Sequence, residues 1–340
     1  MKKAVILFNL GGPDKQESVE PFLFNLFNDP AIINIPSIFR YPLAKFISKK
    51  RAPIAKNIYK EIENKSPILE LTQDQAKSLE NNLSKEGDYK CFVVMRYWHP
   101  RASDVIKKVR EYDPEEIILL PLYPQYSAST SGSSTKEWSD LCKKENYYVK
   151  TKTICCYPTE NNFIESHVNL IKKTLKSLEN NNYKLLFSAH GLPENKIKKG
   201  DPYQWQIEQT VEGIMSKLKN ENLDYIISYQ SRVGPLKWIG PSTDEVIIKY
   251  SKEKKGIVIV PVAFVSEHSE TLVELDIEYK KLANENGCSF YKRVPALGSE
   301  ENFIKGLAEL VLKPQTRGNF ISSIMCPNKF VKCPCLEMRV

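Results

Sequence analysis

Short runs of apolar and β-branched residues alternate along this chain with longer stretches of helical periodicity. Residues 3–9 (KAVILFN), 90–95 (KCFVVM), 116–121 (EIILLP), 148–155 (YVKTKTIC), 184–189 (KLLFSA), 224–229 (DYIISY) and 256–262 (GIVIVPV) predict strands. Helical patterns occupy 102–112, 161–178, 203–219, 267–285 and 299–312. Strands that are almost continuously apolar, joined by helical crossovers, imply parallel sheets covered on both faces. Seven or more of them divide into two Rossmann-like, doubly wound α/β domains with parallel sheets. A break near 157–160 (YPTE) sets the expected domains at 1–158 and 159–312, with 313–340 as a tail.

One helical stretch, 263–281 (AFVSEHSETLVELDIEYKK), departs from the usual pattern. Glu267, Glu270, Glu274 and Glu278 follow at spacings of three, four and four, with His268 among them. On an ideal helix these acids share an arc of roughly 80°. Val273 and Ile277 lie on one side of the stripe, and Leu272, Leu275 and Tyr279 on the other. Ser269, Asp276 and Lys280 form a second polar set opposite. A surface helix has one polar face. Two polar faces separated by apolar walls place one in solvent and the other on an internal cleft. A solvated acidic face is the plainer alternative, and the flanks argue against it. Carboxylates lining a cleft repel one another unless protons or a cation relieve them.

Charge and composition narrow the picture. The net charge of +8 over 340 residues points to an anionic partner. The opening MKKAVILFNLGGPD resembles a signal peptide, but its apolar run is too short and ends in a Gly-Gly-Pro turn. No run reaches transmembrane length. The expectation is a soluble cytoplasmic protein whose 8 cysteines are thiols or ligands, not disulfides. Nothing points to nucleic acid. Residues 30–54 mix apolar residues with prolines and end in Lys49, Lys50 and Arg51. They read equally as a core helix with a basic end, or as an exposed apolar lip with a cationic rim. The lip would suit a flat apolar ligand bearing carboxylates, or the inner-membrane surface.

In doubly wound sheets ligands bind beyond the carboxyl ends of the strands, and the unusual residues gather there. Strand one runs into Leu10-Gly11-Gly12-Pro13, strand 90–95 into Arg96-Tyr97-Trp98-His99-Pro100, and strand 184–189 into His190-Gly191-Leu192-Pro193. There is no Walker A sequence, no GxGxxG after strand one and no GxSxG elbow. Of the 4 histidines, His190 and His268 both fall at strand ends.

Together the motifs LFNLGGP, KKRAP, SPI, MRYWHP, PLYPQYSASTSGSS, SAHGLP, YQSRVGPLKWIGPST and PVAFVSEHSETLVELDIEY are similar to those of ferrochelatases over almost the full length. The resemblance implies two Rossmann-like domains with an active-site cleft between them, and an enzyme that inserts ferrous iron into protoporphyrin IX. Insertion requires two pyrrole protons to leave and a hydrated cation to be stripped. Bending the macrocycle exposes its nitrogen lone pairs. His190 and Glu270 match the family's paired residues, an imidazole and a carboxylate facing each other across the bent ring to accept protons or hold iron. Glu274 and Glu278 extend from Glu270 as a path for protons or metal, on what the resemblance makes a π-helical turn. Arg51, Tyr59 and Ser66 resemble propionate and ring contacts, with Leu10 and Arg96 as further porphyrin contacts. Tyr126, Trp238 and His268 are a second layer, with plain packing an equal reading.

The tail carries Cys326, Cys333 and Cys335 in the spacing C-x6-C-x-C. Some ferrochelatases hold a [2Fe-2S] cluster, whose fourth thiolate animal members take from PQYSxST. Ala128 stands at that position here. Cys155 or Cys156 is the candidate instead, only one of them because neighbours on a strand point apart. Zinc or free thiols are the alternatives. Coproporphyrin is the alternative substrate, and a non-catalytic porphyrin carrier the alternative of another class.

Overall fold

The computed structural model describes all residues except 180–181, 220–222, 233, 235, 313–315, 318 and 337–340, so part of the expected tail lies outside the described residues. The strands are β1 (Lys2–Asn9), β2 (Asp88–Met95), β3 (Glu116–Pro121), β4 (Lys150–Cys156), β5 (Tyr183–His190), β6 (Tyr225–Gln230), β7 (Gly256–Pro261), β8 (Tyr291–Arg293), β9 (Thr316–Arg317) and β10 (Phe320–Ser322). They form two sheets in the orders β2-β1-β3-β4-β10-β9 and β6-β5-β7-β8. The seven expected strands are all present, with ends within two residues of the sequence reading. The last three, of three residues or fewer, are too short to show a period.

The first compact unit comprises residues 1–122, 127–155 and 310–321. Strands β1, β2, β3 and β4 pair in parallel, with Lys3 opposite both Tyr89 and Glu116. Ala4, Val5, Ile6 and Leu7 are fully buried at its centre. At the amino end of the sheet the buried Glu116 carboxylate meets Lys152 at 3.1 Å, Lys150 at 3.2 Å and Lys3 at 3.9 Å. The stretch that read two ways is one helix, Ser37–Lys60, with Pro42 and Pro53 inside it. It is not a core helix: Ile38 is 75% exposed, and Phe39, Tyr41, Phe46 and Ile54 also face outward. The loop that leads into it is pinned by Asp29. That carboxylate accepts from Arg96 Nη2 and Tyr97 Oη, both at 2.8 Å, and caps Ala31 N at 2.7 Å.

The second unit comprises 123–126, 156–309 and 322–340. Its sheet is wholly parallel, with His190 opposite Gln230 and Ser188 opposite Ser228. Residues 257–260 of β7 are fully buried. The segment after β7 is a π-helix over Glu270–Glu278 that continues as an α-helix over Tyr279–Glu285. Side chains take up carbonyls of this unusual element. Gln230 Nε2 donates to Glu270 O at 3.1 Å, and Tyr291 Oη to Leu275 O at 2.7 Å. On its outer side Arg293 grips Asp276 through two 2.7 Å bonds and Glu267 through one of 2.9 Å.

Candidate active site

His190 ends β5, where an apolar strand gives way to Gly191-Leu192-Pro193. Gly191 eases the packing there: a β-carbon would lie 3.0 Å from Gln230 O and 3.3 Å from the Trp238 ring, so those neighbours would have to give. Trp238 is half-buried beside it and bridges to Pro193. The Tyr203 phenol oxygen accepts a hydrogen bond from the His190 main chain. The imidazole therefore has a fixed base, with its side chain 38% exposed.

Glu270, the first residue of the π-helix, meets that imidazole directly. His190 Nδ1 lies 3.1 Å from Glu270 Oε2, and His268 Nε2 lies 3.7 Å from the same oxygen. His268 is buried against Phe264, with its Nδ1 3.2 Å from the Ser266 carbonyl. The pair is thus in contact, not set apart by the width of a macrocycle as the sequence reading supposed. Burial disfavours both charges, and proximity reverses the outcome. The charge of His190, its hydrogen bond and that of His268 hold Glu270 well below the ordinary carboxylate range. Against the cost of burial, Glu270 and then Glu274 raise the pKa of His190.

Glu274 follows one turn on, and four donors surround it. Ser231 N (2.9 Å) and Tyr279 Oη (3.0 Å) bind Oε1, while Ser231 Oγ (2.5 Å) and Gln230 Nε2 (3.0 Å) bind Oε2. Ser231 adopts a left-handed φ of 59° to aim both its groups. Gln230 is oriented in turn by Ser188 Oγ, which donates to its Oε1 at 2.7 Å. Ser188 contacts Thr243 Oγ1 at 3.2 Å, and Thr243 contacts Ser228 Oγ at 2.9 Å. Gln230, Ser188, Thr243, Ser231 and Tyr203 were not singled out from the sequence. The first four lie within SAHGLP and YQSRVGPLKWIGPST, whose buried polar residues were the available signal, and Tyr203 lies in neither. Glu278 is exposed, at the outer end of the stripe. Glu267, read as part of the stripe, is instead committed to Arg293 and Ala296 N.

In the first unit, Leu10 and Tyr59 join one apolar cluster with Phe22, Ala52, Tyr97 and Phe27. The Arg51 guanidinium lies over the Phe27 ring at 5.7 Å. Ser66 is buried where its N donates to Pro13 O at 2.8 Å, and Gly12 leaves it room. Arg96 spends its donors on Ser133, Glu137 and Asp29. Tyr126 is buried in the second unit, its N donating to Gln206 Oε1 at 2.7 Å.

Within the second unit the sulfurs of Cys333 and Cys335 lie within 4.8 Å of one another. Cys326 is hydrogen-bonded with Cys333. Cys156 instead meets Ser322 Oγ at 3.1 Å and Gln206 Nε2 at 3.3 Å.

The ferrochelatase family profile matches residues 2–315. The ferrochelatase of Pelagibacter ubique (strain HTCC1062) is 65% identical over 344 residues, 99% of each chain. That of Rickettsia felis is 49% identical over 345 residues, 98% of this chain and 99% of the other. Among solved structures, SirB from Bacillus subtilis with Fe3+ shares the fold, with a TM-score of 0.55 at 13% identity, covering 92% of this chain and 94% of that one. The chain belongs to the ferrochelatase family.

Proposed function

We propose that in this ferrochelatase, a lyase that inserts iron into a porphyrin for haem synthesis, His190 accepts the pyrrole protons and Glu270 makes it basic enough to do so. The observation that carries this reading is the 3.1 Å contact between them. A carboxylate on Nδ1 orients the ring, raises its proton affinity and leaves Nε2 to face the substrate. Glu274 and then Glu278 carry the stripe outward from the pair, as a route for protons or for the iron substrate. Protoporphyrin IX is the proposed substrate. Arg51 would pair with a propionate, and Leu10, Tyr59 and Ser66 would contact the ring, with Trp238 and Tyr126 as further porphyrin contacts. The outward apolar side chains of the Ser37–Lys60 helix, with Lys45, Lys49 and Lys50 on the same element, support peripheral contact with an anionic membrane surface.

The cysteines fit a [2Fe-2S] cluster held by Cys155, Cys326, Cys333 and Cys335. The donor set is soft, all four thiols are buried, and Cys326 is hydrogen-bonded with Cys333. Cys156 is left to Gln206 and Ser322. When bound, such a group would tie the cysteines together and accept one electron.

Anaerobic incubation with ferrous iron and either protoporphyrin IX or coproporphyrin III, followed by absorbance, tests the substrate. Faster haem formation from protoporphyrin IX is expected, and a preference for coproporphyrin III would reassign it.

A further inference from the structure

Gln206 is fully buried in the helix Tyr203–Leu218, and its carboxamide is polarised in one direction. Its Oε1 accepts from Tyr126 N at 2.7 Å. Its Nε2 donates to two sulfurs, Cys156 Sγ at 3.3 Å and Cys326 Sγ at 3.2 Å. The bond at Oε1 fixes which end of the amide is the donor, so the orientation is not arbitrary. A buried amide ordinarily gives its hydrogens to oxygen, because a neutral thiol is a weak acceptor. Directing the donor at sulfur becomes strongly favourable only when the sulfur carries negative charge. Of the two sulfurs, Cys326 is the one assigned above to the cluster, so ligation would make it the thiolate that this donor meets, while Cys156 stays a weak acceptor.

We propose that Gln206 is the outer-sphere donor that sets the reduction potential of this cysteine site, while its carbonyl links the site to the main chain of Tyr126. The inference rests on the cluster reading above. One-electron reduction, by dithionite in the assay, adds negative charge that spreads onto the ligating sulfurs and breaks no protein bond. An N–H pointing at Cys326 Sγ stabilises the reduced form more than the oxidised one, which raises the potential. Its loss should lower the potential.

The test uses the full-length protein purified with its iron. Gln206→Met keeps side-chain length but has no donor, and Gln206→Asn keeps the amide but withdraws it. Both should retain the iron and acid-labile sulfide of the parent. Their reduction equilibrium, followed by EPR during dithionite titration, should shift about tenfold toward the oxidised form, ~59 mV for a one-electron couple. Unchanged potentials in two iron-loaded variants would overturn the proposal. Should neither variant fold, parent protein labelled with ¹⁵N only at glutamine side-chain amides decides the matter. Pulsed EPR of its reduced form should show a nitrogen coupling, and none would overturn the assignment. Parent protein with no sulfide, or with zinc in place of iron, would instead remove the cluster reading itself. Metal and sulfide analysis separates the two failures.

Discussion

Glu274 shows how much of this site is built from uncharged residues. Burial and then the neighbouring Glu270 charge raise its pKa, while Ser231 and Gln230 pull the other way. With four donors already aimed at it, its carboxylate is held in one orientation. Two outcomes follow at this scale. His190→Ala should lower the rate of insertion by about 10²–10⁴-fold, the usual worth of a positioned proton acceptor. Porphyrin binding, followed by fluorescence quenching, should stay near the parent value, and near-parental turnover would refute the role. Gln230→Met leaves Ser188 without its acceptor and Glu274 with one donor fewer. It should cost about 1–3 kcal/mol of stability and reduce kcat with little change in the porphyrin KM. Paired melting curves and steady-state kinetics check both, and an unchanged kcat would mean that Glu274 need not be oriented.

At the scale of elements, the π-helix is the least regular piece and the most heavily braced. Arg293 is 11% exposed and holds Asp276 and Glu267 together. Arg293→Met should therefore cost about 3–5 kcal/mol, because two acids lose their countercharge. Urea unfolding measures it, and a loss below about 1 kcal/mol would show the brace to be idle. The helix Ser37–Lys60 invites a different test. Replacing Phe39 and Phe46 together with Ser should weaken sedimentation with anionic vesicles and leave insertion into a water-soluble porphyrin unchanged. Equal sedimentation would remove the membrane role. The contrast between these two helices shows what a sequence discloses. Central strands such as β3 and β7 were legible because burial on both faces demands unbroken apolar runs, while β4, with its alternating Lys and Thr, was legible through β-branched residues. The acid stripe was legible as spacing, and its π-geometry only through resemblance. Glu267 was misplaced because its partner, Arg293, lies 26 residues on in sequence and no local pattern announces it. Gln230 and Ser188 stood inside quoted motifs but received no role for a related reason: a buried polar residue in a strand looks like a defect until its hydrogen bonds are known. The outward turn of Phe39 and Phe46 could not be separated from burial, since an apolar residue reads alike in either setting.

For the whole molecule, Glu116 predicts an acid response. Burial would raise its pKa, but Lys152 and Lys150 outweigh burial and lower it below 4.5. Its folded-state pKa thus lies under its unfolded one. Its contribution is full above about pH 4.5 and is lost as pH falls through the lower value. Glu116→Gln should be less stable than the parent at pH 7, and the gap should narrow below pH 4. Parallel stability curves across that range would contradict this. The division of the chain carries a further consequence. The first unit needs residues 310–321 and the second needs 322–340. During synthesis the first unit therefore waits for a strand pair made almost last. At ~5–20 residues per second the delay after residue 155 is on the order of ten seconds. Through that interval the edge strand β4 keeps its unpaired backbone groups open on the ribosome. A chain that stops about thirty residues early is then not an enzyme lacking an ornament but two incomplete bodies, and quality control would meet it as a substrate for degradation.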